Sequence, residues 1–207
     1  MNACRFCGLA KTCSLAGTIA AGDANVPRRW YLVGTPNTGK TSLVNALAGA
    51  NLEIGNWSGT TIEVASASAH LACGTVELID LPGAYTLAGS APDEEIVLPA
   101  LDGDDDALVV NVVDATNLER DLTLTAELVE HGRPMVVAVN LADQARKTGR
   151  EVDPAALEAA FGVPVVEVAA NTGGGVGALV SAASRAAVGQ VDVPYPEAVA
   201  RAAGRLQ

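Results

Sequence analysis

The chain has 207 residues, of which 49% are hydrophobic and 18% are charged, and its formal net charge is −11. This length suits one domain of ordinary size, and the composition supplies an apolar core, which excludes a wholly disordered chain. The acidic balance argues against a nucleic-acid partner, which normally meets a basic face. The longest apolar runs, such as 107–113, are far shorter than the roughly 20 residues that span a bilayer.

The start of the chain and its cysteines indicate a compartment. No charged segment followed by an apolar one opens the sequence, so no secretory signal is apparent. Three of the four cysteines lie near the start, which is not the even spacing of a secreted disulfide scaffold. We therefore expect a reducing compartment.

The hydrophobic pattern predicts strands that alternate with helices. The predicted strands are 29–33, 62–71, 75–80, 107–115, 134–139 and 163–168, and the predicted helices are 40–49, 118–132, one after Pro154 and one from about Gly175. Residues 50–61 and the stretch between 80 and 107 are predicted to be loops. This alternation predicts an α/β fold with a doubly wound, mostly parallel sheet covered on both faces.

The stretch GTPNTGKT, residues 34–41, fits the phosphate-binding pattern G-x-x-x-x-G-K-[ST] between a predicted strand and a predicted helix. Its glycines let backbone N–H groups approach phosphates, and the helix N-terminus adds its positive dipole end. Lys40 is expected to reach the β- and γ-phosphates, and the Thr41 hydroxyl to hold Mg²⁺. An ordinary glycine-rich turn is the alternative. The candidate phosphate-loop residues are Gly34, Asn37, Thr38, Gly39, Lys40, Thr41 and Ser42.

A second motif, DLPG at 80–83, ends a predicted strand. There the Asp80 carboxylate can reach the Mg²⁺ shell, and the Gly83 N–H can sense the γ-phosphate. D-x-x-G turns are common, and this one indicates a phosphate site because it follows the P-loop by one hairpin.

A third motif, NLAD at 140–143, follows another buried strand. The Asp143 carboxylate can accept both N–H groups on the edge of guanine, and adenine does not offer that pattern. A polar helix N-cap is the alternative for this motif taken alone. Behind two other motifs in order, it predicts a guanine nucleotide.

These motifs in this order resemble the translation-factor-like GTPases, and the finer match is to the N-terminal G domain of the prokaryotic ferrous-iron transporter B (FeoB) family. The resemblance covers roughly residues 28–190 and is carried by GTPNTGKTSLVNALAG, IGNWSGTTIE, DLPGAYTL, VVDATNLERDLTL, NLAD and GREVDPAALEAAFGVPVVEVAA. It implies a Ras-like P-loop domain that binds GTP and GDP and hydrolyses GTP slowly with Mg²⁺. It further implies a cytoplasmic domain that regulates ferrous-iron transport at the bacterial inner membrane.

The resemblance also implies a domain organisation. We expect a cysteine-containing extension at 1–25, a GTP-binding domain at 26–190, and at 191–207 the start of a following helical segment that the chain cuts short. The implied partners are the helical and transmembrane domains of the same full-length protein, with no nucleic acid, and the pattern leaves an oligomer open.

If the resemblance holds, residues 50–61 and 84–99 are two switches that the γ-phosphate orders. Thr61 is then the threonine whose hydroxyl joins the Mg²⁺ shell when GTP is bound, and Gly59 and Thr60 lie beside it in the nucleotide site. Alternatively, Thr60 and Thr61 are β-favouring residues that open a strand. The implied catalytic set is Asn37, Lys40, Thr61 and Gly83.

Asn37 has a more specific implied role. Similar GTPases with Asn at this position bind K⁺ beside the phosphates, and here the carbonyls of Gly55 and Trp57 would complete that site. The cation then stands where other GTPases place an arginine finger. The alternative is that Asn37 only tolerates an unusual turn conformation.

The sequence departs from the usual GTPase pattern at three places. Ala84 stands where Ras-like enzymes have the glutamine that orients water, which predicts slow turnover. Leu141 replaces the usual lysine, so an aliphatic side chain must flank the base. The late guanine loop is Ala169, Ala170 and Asn171, where the Ala170 N–H is left to bind the guanine oxygen. Modest nucleotide affinity and easy GDP release are therefore expected.

Cys4, Cys7 and Cys13 have partial metal-ligand spacing, and His70 or Cys73 is a candidate fourth ligand. Free reduced thiols are the alternative.

Two other functions compete with a transporter-linked GTPase. A soluble GTPase of RNA or ribosome assembly needs a basic module, which this acidic chain lacks. A nucleotide- or metal-sensing module without significant turnover is opposed by the presence of Lys40, Thr41, Asp80 and Asp143. Asp143 also disfavours an ATPase.

Overall fold

A β-sheet forms the centre of the part of the chain that the structure describes. In the computed structural model, which describes residues 26–49, 53–56, 63–87 and 94–190, eight strands build this sheet. The strands are β1 (Arg29–Val33), β2 (Glu53–Asn56), β3 (Glu63–Leu71), β4 (Gly74–Asp80), β5 (Ala107–Asp114), β6 (Pro134–Asn140), β7 (Val165–Glu167) and β8 (Ala187–Val188). The helices are α1 (Lys40–Ala48), α2 (Val97–Asp102), α3 (Leu118–His131), α4 (Ala142–Lys147), α5 (Pro154–Phe161) and α6 (Val176–Ala183), and a 3₁₀ turn (Glu94–Ile96) precedes α2.

The sheet is mostly parallel. β1 lies between β4 and β5 and runs parallel to both, and β6 runs parallel to β5 and β7. The antiparallel pairs are β2 with β3, β3 with β4, and β8 with β6. Helical connections between parallel strands confirm the predicted α/β fold class.

Each face of the sheet carries an apolar core. Along β1 the side chains alternate: Trp30 and Leu32 pack in the core that α1 and α6 cover, and Tyr31 and Val33 pack in the core that α3 covers. β5 is buried at all eight of its positions, as expected for a central strand with helices on both faces.

The predicted helix ends at Gly49 and Gly132 are confirmed. Both glycines have positive φ, 70° and 81°, and their N–H groups donate to carbonyls of the last helical turn, on Asn45 and Val129. A left-handed residue at this position is the common end of a helix, and glycine adopts it without steric cost.

Other local predictions were wrong. The loop predicted at 50–61 contains β2, a strand at the edge of the sheet, because pairing with β3 overrides the low β-propensity of Gly and Asn. The loop-rich stretch before β5 contains α2, whose Pro99 lies in the first helical turn, where a missing N–H does no harm. The two-residue strand β8 and the short helix α4 were also missed.

The extension predicted at 1–25, with Cys4, Cys7 and Cys13, lies outside the described residues. So does the segment predicted at 191–207. Within the described ranges, no helix has both the length and the apolarity that a membrane span requires.

Candidate functional site

The three sequence motifs meet at one edge of the sheet. Val33, Asp80 and Asn140 end β1, β4 and β6, which belong to the parallel part of the sheet. Parallel strands end at a common edge, and open α/β sheets bind ligands there. The loops that leave these three strands carry the candidate residues.

Two positions of the loop between β1 and α1, Gly34 and Gly39, have no room for a side chain. A Cβ on Gly34 would lie 2.2 Å from the carbonyl oxygen of Val112. Gly39 has a φ of +89°, and a Cβ there would lie 2.3 Å from Nδ2 of Asn140. The backbone is therefore packed closely on its neighbours, and α1 begins directly after it at Lys40. This is the strand–loop–helix geometry of a P-loop.

Lys40 lies inside this loop. Its side chain is only 8% exposed, and its ammonium group donates to the carbonyl oxygens of Gly34, at 2.9 Å, and Thr35, at 3.1 Å. Burial lowers the pKa of Lys40, and the carboxylates of Asp80 and Asp121 oppose that shift. A cation held out of water at a helix N-terminus attracts anions strongly.

The Thr41 hydroxyl and the Asp80 carboxylate lie together beside Lys40. The Thr41 hydroxyl donates to Oδ2 of Asp80 at 2.6 Å, and Oδ1 of Asp80 is buried with no hydrogen-bond partner among the described residues. Burial raises the pKa of Asp80, whereas the Thr41 hydrogen bond and the Lys40 charge act to lower it. A hydroxyl and a carboxylate with an unused oxygen fit the hard-ligand preference of Mg²⁺.

The DLPG segment packs directly on the P-loop. A Cβ on Gly83 would lie 2.9 Å from atoms of Pro36, and the Ala84 N–H donates to the carbonyl oxygen of Gly34 at 3.3 Å. Ala84 is fully buried. The position that holds a water-orienting side chain in Ras-like enzymes is thus occupied here by a buried methyl group.

Asn140 connects the P-loop with the late loop after β7. Its Nδ2 donates to the carbonyl oxygen of Thr38 at 2.8 Å, and its Oδ1 accepts from the Ala170 N–H at 3.2 Å. The N–H expected for the guanine oxygen is therefore engaged with Asn140 in this structure. The late loop is closed by backbone hydrogen bonds from Ala169 N–H to Gly174 and from Thr172 N–H to Ala169.

The rest of the NLAD motif opens helix α4. Leu141 has a φ of +61°, a left-handed conformation that is rare for a branched side chain. Asp143 follows in the first turn of α4 and is half-buried. Strained conformations of this kind cluster at binding sites.

Asn37 adopts the left-handed turn conformation that its alternative role requires, with a φ of +68°. Its side chain is exposed at the site, so the conformation and the expected cation contact are compatible. Gly55 lies in β2, paired with Val64 of β3. The other residues expected in the first switch, Trp57, Gly59, Thr60 and Thr61, lie outside the described residues.

A buried polar cluster under the P-loop was missed from the sequence. Oδ1 of Asp121 accepts from the Thr35 hydroxyl at 2.7 Å, and its Oδ2 accepts from the Asp114 N–H at 2.8 Å. Asp121 is 1% exposed. The available signal was its spacing of three and seven residues from Leu124 and Leu128, which places a carboxylate on the apolar face of α3.

Three further titratable groups are Asp114, at the end of β5 on the site edge of the sheet, and His70 and Cys73, at the turn between β3 and β4 at the opposite end of β4. Burial acts to raise the pKa of Asp114, but hydrogen bonds from Thr116 and Asn117 outweigh it and lower that pKa. Burial raises the pKa of the Cys73 thiol, and Nδ1 of His70 is bonded to the Thr75 hydroxyl at 3.0 Å. Among the described residues, no three His, Cys, Asp or Glu side chains gather into a metal site.

The fold and this site define a class: a Ras-like P-loop domain of the α/β type. A family model described as "Ferrous iron transport protein B" matches residues 28–183. The chain therefore belongs to the FeoB family.

Relatives agree with this assignment. The Fe(2+) transporter FeoB of Campylobacter jejuni is 48% identical over 141 residues, which are 68% of this chain and 23% of that protein. The cytosolic domain of L. pneumophila FeoB superposes with a TM-score of 0.79 at 34% identity, covering 86% of this chain and 79% of that one. A variant of S. thermophilus NFeoB, solved bound to GDP, has a TM-score of 0.76 at 34% identity, covering 86% and 70%. The chain thus spans less than a quarter of that curated relative's length.

Replacing Asp80 by Asn should separate stability from Mg²⁺ binding. Because burial raises its pKa in the folded state, the charge of Asp80 opposes folding. This cost is absent below the pKa of the unfolded chain and fully present above the raised folded-state pKa. At neutral pH, Asp80→Asn removes the cost, so we expect an unchanged Tm or one about 2–4 °C higher.

If Asp80 is a Mg²⁺ ligand, Mg²⁺ with GDP should raise the Tm of the wild type, and the variant should lose most of that gain, since a neutral amide is a poor Mg²⁺ ligand. Differential scanning fluorimetry with and without Mg²⁺·GDP measures both effects. Glu130→Gln, an exposed charge removal on α3, is the control. A lower Tm together with a retained Mg²⁺·GDP effect would contradict the assignment of Asp80.

Proposed function

We propose that this chain binds guanine nucleotides and hydrolyses GTP with Mg²⁺, as the nucleotide-dependent domain of a ferrous-iron transporter. The observation that carries the proposal is the side chain of Asn140, which bonds the P-loop through Thr38 and the late loop through Ala170. A nucleotide needs a phosphate site and a base site at a fixed separation, and this contact fixes it. GDP in the solved S. thermophilus relative supports the choice of ligand.

The phosphate end of the ligand would lie on the loop of residues 34–39. Lys40 would exchange its two carbonyl partners for phosphate oxygens, and the amides of Thr38, Gly39, Thr41 and Ser42 lie at the N-terminus of α1, where anions are stabilised. Thr41 and Asp80 would hold Mg²⁺, joined by Thr61 in the GTP state. Bound there, Mg²⁺ neutralises charge that develops on the phosphates.

The base end would lie between the NLAD motif and the late loop. Asp143 would accept two N–H groups of guanine, and Leu141 would cover a face of the base. For the Ala170 N–H to bind the guanine oxygen, it must be shared with Asn140 or released by it. We therefore retain the expectation of modest affinity and easy GDP release.

Hydrolysis would be slow because Ala84 supplies no group that orients water. Asn37, with the backbone carbonyls of Gly55 and Trp57, would hold K⁺ beside the phosphates. That charge would stabilise the transition state in the place of an arginine finger.

For the whole protein, we propose that residues 26–190 form the GTP-binding domain and that 191–207 begin a helical domain leading to the membrane portion. The domain would act at the cytoplasmic face of the bacterial inner membrane and regulate iron passage. The extension at 1–25 would carry Cys4, Cys7 and Cys13, either as free thiols or as metal ligands.

Asp143→Asn tests the base assignment. With xanthine, an asparagine amide can accept from the ring N–H and donate to the 2-carbonyl. With guanine, its NH₂ group would meet the 2-amino group, so that two donors face each other. We expect GTP affinity to fall about 100-fold and XTP affinity to rise by a similar factor, since two charge-assisted hydrogen bonds change partners. Fluorescence competition titrations measure both affinities.

Asp143→Ala is the matched control, because it should lose affinity for GTP without gaining affinity for XTP. If Asp143→Asn binds GTP as the wild type does, Asp143 does not contact the base.

The potassium proposal is tested by GTP hydrolysis in KCl and NaCl at equal ionic strength. The wild type should hydrolyse GTP about tenfold faster or more in KCl, because the K⁺ that would stabilise the transition state is absent in NaCl. Asn37→Ala should hydrolyse GTP at the same low rate in both salts. Equal wild-type rates would overturn the K⁺ site and leave the GTPase proposal standing.

A further inference from the structure

Helix α3 contacts the chain that follows the DLPG motif at two places. Oε2 of Glu127 accepts a hydrogen bond from the Leu87 N–H at 2.6 Å. The guanidinium carbon of Arg120 lies 5.6 Å from the centroid of the Tyr85 ring, within the range of a cation–π contact. Arg120 and Glu127 are two helical turns apart and so share one side of α3. Residues 84–87 are thus held along that side.

The same arginine also contacts the P-loop. Nε of Arg120 donates to Oδ1 of Asp121 at 3.0 Å, and its Nη2 donates to the Thr35 hydroxyl at 3.3 Å. Thr35 and Asp121 are buried, whereas the Arg120 side chain is 46% exposed. Arg120 therefore connects a buried cluster under the P-loop with the exposed ring of Tyr85.

Gly83 lies between these contacts. Gly83 itself packs against Pro36 of the P-loop, and residues 84–87, which follow it, are held by α3 through Leu87 and Tyr85. The Ala84 N–H also donates to the carbonyl oxygen of Gly34, so the P-loop and the contacts of residues 84–87 with α3 together restrain the Gly83 N–H. An N–H group stabilises negative charge on a phosphate best when it already lies in position, because no rearrangement of the protein is then needed.

We propose that Glu127 and Arg120 are positioning residues for γ-phosphate recognition. They hold residues 84–87 on α3 so that the Gly83 N–H is prepared for GTP. This inference rests on the proposed function. GDP has no γ-phosphate, so its affinity does not depend on this contact, whereas the affinity for GTP does.

The test compares Glu127→Ala, Glu127→Gln and Glu130→Gln in the full 207-residue chain. Glutamine at 127 keeps an acceptor oxygen, and Glu130 is an exposed residue of the same helix. The first measurement is hydrogen exchange of the Leu87 N–H by NMR without nucleotide. The second is the affinity for GDP and for a non-hydrolysable GTP analogue.

We expect the Leu87 N–H of Glu127→Ala to exchange about tenfold faster than that of the wild type, because a charge-assisted hydrogen bond is lost. The affinity for the GTP analogue should fall about tenfold while the GDP affinity stays unchanged. Glu127→Gln should lie between the two, and Glu130→Gln should match the wild type. Arg120→Lys, which keeps the charge and loses the planar face, should lower the affinity for the GTP analogue more than the affinity for GDP, since Arg120 also contacts the P-loop through Thr35.

Each part of the inference has its own contradicting result. Unchanged Leu87 exchange in Glu127→Ala overturns the docking on α3. Faster exchange with an unchanged ratio of the two affinities overturns the link to the γ-phosphate. Equal losses for GDP and the GTP analogue indicate a general structural defect and overturn the positioning role. A wild type without any guanine-nucleotide affinity overturns the proposed function and its γ-phosphate part, and the exchange measurement still decides the docking.

Discussion

The arrangement of the site depends on the side chain of Asn140. It is 2% exposed and joins Thr38, 102 residues earlier in the chain, to Ala170, 30 residues later. A buried amide with both ends bonded is costly to disconnect, because each partner would be left unsatisfied. A Cβ at Gly39 would collide with this amide, so the glycine of the P-loop is required by Asn140 as well as by a phosphate. The Asn140 side chain therefore holds the two loops together.

A second set of buried polar groups supports the P-loop from below. Asn111, in the middle of β5, donates to the carbonyl oxygen of Val33 at 3.2 Å and accepts from the Thr125 hydroxyl at 2.7 Å. Asp121, one helical turn before Thr125 on α3, accepts a hydrogen bond from the Thr35 hydroxyl. Satisfied polar networks in a dry core favour one arrangement over its neighbours. The P-loop is thus fixed relative to β5 and α3, and α3 in turn contacts residues 84–87.

The sequence predicted those parts of the molecule that local rules determine. The buried run of β5, the turn between β3 and β4, and the glycine ends of α1 and α3 all follow from hydrophobic period and glycine conformation. The motifs that carry Lys40, Thr41, Asp80 and Asn140 could be located because their order and spacing are specific, and the structure brings them to one edge of the sheet; their roles in binding stay predictions. Edge strand β2 was missed since its stability comes from pairing with β3, which no local pattern encodes.

Contacts between distant segments could not be predicted in the same way. The bond from Asn140 to the Ala170 N–H changes what the late loop offers a base, and nothing at positions 169–171 indicates it. Likewise, the spacing of Asp121 places it on the apolar face of α3, but only its partners Thr35 and Asp114 explain how a carboxylate is accommodated there. The sequence contained no comparable signal for the hydrogen bond between the Leu87 N–H and Glu127.

The most direct test of the central claim is isothermal titration calorimetry of the chain with GDP and with ADP, each in the presence of Mg²⁺. One binding site with GDP favoured over ADP by about 100-fold or more is predicted, because Asp143 would accept two hydrogen bonds that adenine does not offer. Equal affinity for the two nucleotides, or none for GDP, would contradict the account of a guanine site held together by Asn140.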